Sequence, residues 1–258
     1  MINPIEQCLL LKTGNSIVLL GDSHADQFLP MLKSYATANS YELLNLNLEN
    51  GHDFPYDYFL RSYSENKLAN PNSLGYLLEQ NNLGQGDFLV LTFHRGKFND
   101  LKYGDAHIPL NTNIKINEKY LNFIANIEPY FIKFQQRKVK IILILDTPLL
   151  RNKLSVESCH KQIEIFGKSS CSISFNEDRH TRYLQETAFN KIAQDVSNVY
   201  VWDPLPIIYK RFGNLSEFDA VDSQGNYLMK DWNHISNYLS LNLTSFFSDN
   251  LKSYLLRN

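Results

Sequence analysis

Cysteine, net charge and long apolar runs are all scarce in this sequence, and each shortage closes off a class of protein. The 258 residues carry 25 Lys and Arg against 27 Asp and Glu, a formal net charge of −2. With no basic excess, the electrostatic footprint of a nucleic-acid partner is absent. The short cluster of Arg137, Lys138 and Lys140 reads as a solvated loop ahead of a strand. The longest apolar run, residues 139–145, is interrupted by Lys140. A bilayer crossing needs about 20 apolar residues. The first residues have neither the basic start nor the apolar stretch of a signal peptide.

Standing alone, then, the sequence reads as cytoplasmic; as a domain cut from a longer membrane protein it would face the other side. The three cysteines are Cys8, Cys159 and Cys171. The last two bracket a polar loop that a disulfide would pin, but an odd count leaves the pairing open. No Cys-x-x-Cys pair accompanies them, and His52, His107, His160 and His180 show no metal-ligand spacing, so no metal site is expected.

What is present is an alternation of apolar runs and helical periods. Residues 17–20, 87–93, 139–145 and 199–202 read as strands whose apolar character marks them as buried, and 41–48, which alternates loosely, reads as another. Helical spacing appears after residue 28, over 117–136, over 184–196 and from 234 or 235 to about 256, with a short helix over 73–81. Pro129 inside the second of these predicts a kink or a break. Residues 149–178 show no clear period, and 204–230 look mostly irregular. Strands alternating with helices imply a parallel sheet of about five strands covered on both faces, a three-layer α/β/α sandwich. No repeat, heptad run, low-complexity tract or linker divides the chain, so residues 1–258 read as one domain.

Two stretches carry chemistry. The first strand ends in Gly21-Asp22-Ser23, which sets Ser23 where a strand gives way to a helix, the edge at which open α/β sheets bind ligands. A serine hydroxyl needs a base before it attacks, and an imidazole oriented by a carboxylate is the common solution. Asp231 and His234, three residues apart near the other end, offer that pair. Each motif alone has a plainer explanation: a turn favours Gly-Asp-Ser, and Asp231 would also cap a helix. Together they point to a nucleophile with its base. His24 adjoins Ser23, but neighbouring residues at a helix start diverge by about 100°, so its side chain is expected to point elsewhere.

Gly21-Asp22-Ser23-His24-Ala25 together with Asp231-x-x-His234-Ile235-Ser236 resembles the SGNH/GDSL hydrolase superfamily, most closely the SGNH domain fused to membrane acyltransferase family 3 proteins. The resemblance implies a flavodoxin-like fold and, without metal or other cofactor, acyl transfer on a bacterial surface glycan, the acyl group usually being acetyl. Transfer and simple ester hydrolysis both fit. It assigns Ser23 as nucleophile, His234 as general base and acid, and Asp231 as the orienting carboxylate. The Ser23 backbone N–H would begin the oxyanion hole, and Gly51 fits the glycine of the family's second block. The third-block asparagine is missing; His94 and Arg95 stand there instead, as candidate oxyanion donors or substrate contacts. Cys159 and Cys171 match one disulfide region of the family. The implied partners are an acylated or acceptor carbohydrate and a membrane acyltransferase domain, which would put the domain in the periplasm or at the cell surface. A glycan-binding or scaffolding domain of the same fold without activity is the alternative.

Overall fold

The computed structural model describes residues 14–46, 74–75, 83–98, 110, 116, 118–167, 169–213 and 216–256. In chain order the elements are β1 (Ser16–Gly21), α1 (Ser23–Asp26), α2 (Leu29–Ala38), β2 (Glu42–Asn45), β3 (Phe88–Thr92), α3 (Glu118–Gln136), β4 (Lys140–Ile144), α4 (Val156–Phe166), β5 (Ile173–Ser174), α5 (Phe175–Thr181) and α6 (Tyr183–Asp195). They continue with β6 (Val199–Trp202), α7 (Leu205–Arg211), β7 (Glu217–Phe218), α8 (Asn237–Asn242) and α9 (Thr244–Leu255). The five strands expected from apolar runs form one parallel sheet in the order β2-β1-β3-β4-β6. β5 and β7 make a small antiparallel pair outside it.

Successive strand residues point to opposite faces, and both faces here are covered. Ile17, Leu19, Val90, Ile142 and Ile144 pack with Met31 and Leu32 of α2, Ile208 of α7 and Phe247 of α9. Val18, Leu20, Leu89, Leu91, Ile141 and Leu143 pack with Phe123, Ile127, Phe131 and Phe134 of α3 and with Phe189 and Ile192 of α6. Each fully buried side chain of this kind contributes about 1.5–3 kcal/mol. The result is the three-layer α/β/α arrangement with flavodoxin-like strand order. Its chain reverses direction across the sheet between β1 and β3, and the crevice beyond their carboxyl ends is where such sheets hold ligands.

The structure departs from the sequence reading in four places. α3 runs unbroken through Pro129. The proline deprives the Ala125 carbonyl of its helical partner, but both residues are exposed, so water reaches that oxygen. The last helix is two, α8 and α9, and it begins only at Asn237 because Ser236 caps it by accepting from the Leu239 N–H. That start leaves His234 in a turn. α4 and α5 occupy the stretch without a clear period, each set by a serine cap: Ser155 accepts from Ser158 N–H, and Ser174 forms a capping box with Glu177. α7 lies within the stretch taken as irregular. Of the helix expected at 73–81 only residues 74 and 75 are described, and both are helical.

Candidate active site

The strand ends assemble the site. β1 finishes at Gly21, where an added Cβ would stand 2.0 Å from the Thr92 carbonyl oxygen of β3 and 2.7 Å from Ala25 Cβ. Only glycine lets the two strands and α1 approach this closely. Asp22 then caps α1: its carboxylate accepts from the His24 N–H at 2.9 Å and, across the switch point, from the His94 N–H at 3.0 Å. The turn that presents Ser23 is therefore bolted to the end of β3.

His234 reaches this turn from 211 residues away, its Nε2 2.9 Å from Ser23 Oγ. On the other side of the ring, Nδ1 lies 2.8 Å from Asp231 Oδ2. The second carboxylate oxygen, Oδ1, accepts from the backbone N–H of Asn233 at 2.9 Å and of His234 at 2.8 Å. Burial pushes the Asp231 carboxyl up, but the His234 ring and these amide donors outweigh it and hold it below the ordinary carboxylate range. A hydroxyl, an imidazole and a carboxylate in hydrogen-bonded series can move a proton off the hydroxyl and stabilise the imidazolium that forms. The loop that carries Asp231 and His234 (the base loop) is further pinned by Gln27, whose Oε1 accepts from the Ile235 N–H and the Thr147 hydroxyl.

Arg95 does not face this site. Its side chain is turned into the interior, where it donates to Asp146, to the Asp178 carboxylate and carbonyl, to the Thr181 hydroxyl and to the Thr147 carbonyl. Its backbone N–H is also committed, to Asp146 Oδ2 at 2.9 Å. A buried guanidinium must be paired, and two carboxylates past the sheet end supply the charge; burial pulls its proton affinity down, and Asp178 and Asp146 restore and raise it. The expected oxyanion or substrate contact from Arg95 is corrected to an internal anchor. His94 is 3% exposed, with its Nδ1 accepting from the Gly96 N–H at 3.0 Å and its ring 4.5 Å from that of His24. Gly51 lies outside the described residues. Cys159 and Cys171 are joined by a disulfide with Cα atoms 5.9 Å apart.

His24 does point away from Ser23, but inward beside the site instead of out of it. Its Nδ1 is 2.6 Å from Asp146 Oδ1, and its ring lies 4.7 Å from that of His234. Burial lowers its proton affinity, and the Asp146 carboxylate overcomes that and holds it above the ordinary histidine value. His24, Asp146, Gln27 and Asp178 were absent from the sequence-based site. The available signal was that β1 and β4 are each followed closely by an aspartate, Asp22 and Asp146. His24, His94 and Asp146 bring ligand-type atoms within 4.8 Å of one another. Arg95 bonded to the same carboxylate opposes a further cation there, so the cluster reads as a hydrogen-bond network.

Among comparisons with known proteins, the family model for the SGNH domain fused to AT3 domains matches residues 2–249. No curated protein matches the sequence. Among solved structures, the chain is similar to the lipopolysaccharide acetyltransferase periplasmic domain of Salmonella ser. Paratyphi A, with TM-score 0.58 and 14% identity over 95% of this chain and 86% of that one. It is also similar to the protein YxiM of Bacillus subtilis, with TM-score 0.53 and 15% identity over 93% of this chain and 57% of that one. At these identities the likeness bears on the fold. No helix among the described residues is long and apolar enough to cross a membrane.

Proposed function

This chain belongs to the family of SGNH domains fused to AT3 domains, and from that premise we propose that it transfers an acyl group, acetyl by preference, through Ser23. The observation that carries the reading is the series Ser23 Oγ, His234 and Asp231, with contacts of 2.9 and 2.8 Å. His234 takes the Ser23 proton as the oxygen attacks the acyl carbonyl. The Ser23 backbone N–H is the first donor to the resulting oxyanion. The imidazolium returns the proton to the departing group, leaving an acyl-serine; the neutral imidazole then deprotonates the incoming acceptor as it attacks, and gives that proton back to Ser23 Oγ when the bond from Ser23 to the acyl carbon breaks. Asp231 holds the ring in the tautomer these steps require.

The acceptor is a carbohydrate hydroxyl in this reading. A groove of about 680 Å³ runs beside the base loop, lined by Lys230, which directly precedes Asp231, and by Tyr227 and Tyr238. Those two residues are 43% and 38% exposed, and tyrosine rings are of the kind sugars stack on. In a fused protein the acyl group would come from the membrane domain, and the reaction would take place on the periplasmic or outer face. The Asp231 and His234 side chains are 41% and 19% exposed. Ser23 is itself part-exposed, so water reaches the acyl-serine, and hydrolysis accompanies transfer when no acceptor is bound.

The test is turnover of an activated acetyl ester and of an acetylated polysaccharide, with and without a free carbohydrate acceptor. Acetate release that shifts to acetylated acceptor, and is lost in Ser23→Ala, is the expected result. Undiminished turnover by Ser23→Ala would overturn the assignment. Carbohydrate binding with no turnover would favour a scaffolding domain.

A further inference from the structure

Behind the proposed triad lies a second histidine–carboxylate pair that the transfer steps do not use. His24 is fully buried, and its Nδ1 is anchored 2.6 Å from Asp146 Oδ1. That carboxylate is itself held from several directions, by the Thr147 N–H, the Arg95 N–H and Arg95 Nε. Arg95 in turn is fixed to Asp178 and Thr181 of α5. One edge of the His24 ring is thus tied to a carboxylate that is itself braced from several directions.

The other edge meets the base loop. The His24 and His234 ring centroids are 4.7 Å apart at an interplanar angle of 44°. His24 Nε2 lies 3.4 Å from the side-chain amide of Asn233, whose backbone N–H donates to Asp231. A half-turn of that amide presents oxygen in place of nitrogen, so the contact accommodates either protonation state of His24. Filling the space with an apolar ring would avoid the cost of burying two polar nitrogens. Here both nitrogens face partners, one in β4's extension and one in the base loop, and the residue is the sequence neighbour of Ser23.

We infer that His24 is a positioning residue: a wall, braced by Asp146, against which the His234 imidazole and Asn233 rest, and which sets the His234–Ser23 distance. The His234 side chain is 19% exposed, so without this wall its ring gains freedom to turn away from Ser23. The consequence for rate rests on the proposed acyl transfer; the contact itself does not.

Two readouts separate these. In protein with isotope-labelled histidine, ring protons of His24 and His234 should give a through-space cross-peak, and its absence overturns the inference whether or not any ester is turned over. His24→Asn keeps an amide donor near the Nδ1 position for Asp146 but removes the ring. With circular dichroism unchanged, kcat should fall about 10²-fold, while KM stays within about twofold. The His234 Nδ1–H resonance, assigned by its loss in Asp231→Asn, should broaden or disappear. His24→Gln, which removes the Asp146 anchor as well, should be at least as impaired and serves if the first variant does not fold. An unchanged kcat with an unchanged resonance overturns the inference. If wild type turns over no ester but the cross-peak and the resonance change are seen, the acyl-transfer reading fails and the positioning contact stands.

Discussion

Asp231 combines two tasks that are usually divided: Oδ2 orients His234, and Oδ1 ties up the backbone of the loop that carries it. Asp231→Asn would keep the shape of this turn but can set an amide nitrogen against Nδ1 and favour the wrong ring tautomer. Turnover should fall on the order of 10³- to 10⁴-fold, with little loss of thermal stability because the carboxylate is 41% exposed. A loss of activity below about tenfold would argue against its role as the orienting group. His24 offers a pH test of the network beneath. Its proton affinity rises on folding from the ordinary value of 6.5. A group that binds its proton more tightly in the folded chain stabilises the fold below its unfolded pKa and loses that contribution as pH rises through the folded value. Urea unfolding of wild type and His24→Asn should therefore differ by a constant amount below about pH 6.5, and the gap should narrow as pH rises from there through the folded value. A gap that widens with pH would contradict this.

Elements differ in how plainly the sequence announces them. β1, β3 and β4 are legible because burial on both faces leaves near-continuous apolar runs, whereas β2, with Glu42 and Asn45 exposed, shows only a loose alternation. α4 was not legible, since Ile165 and Phe166 at its end are each 70% exposed and blur its stripe. The break between α8 and α9 was invisible to periodicity, because Leu239, Leu243, Phe247 and Leu251 keep helical spacing straight through it. The disulfide matters at this scale. Cys171 accepts through its carbonyl from the Arg151 N–H, and the adjacent Leu150 N–H donates to the Trp232 carbonyl inside the base loop. With the cysteines 12 positions apart in sequence, replacing both by alanine should cost about 2–4 kcal/mol in chemical denaturation. A cost near zero would mean that the surrounding packing alone holds this segment.

At the scale of the molecule, what the sequence could not convey is which side chains at the strand ends turn outward. That Ser23, Asp231 and His234 would meet in space was legible because their types and spacing fit a known chemical device. Arg95 was misjudged because a position after a strand says nothing about whether a guanidinium faces solvent or buried carboxylates; Asp146 and Asp178 decide it, and they come from other elements. Strand order is likewise a long-range property, and it is the order β2-β1-β3-β4-β6 that opens the crevice beside β1. α8, immediately after the base loop, packs on α2, with Ser240 Oγ accepting from the Met31 N–H. That contact joins an element near the end of the sequence to one near its start. The most direct test of the whole is covalent labelling with a serine-reactive phosphonate, located by mass spectrometry. One equivalent on Ser23, slowed by changes at His234, is the expected result; no adduct, or an adduct on another serine at the same rate in Ser23→Ala, would contradict it.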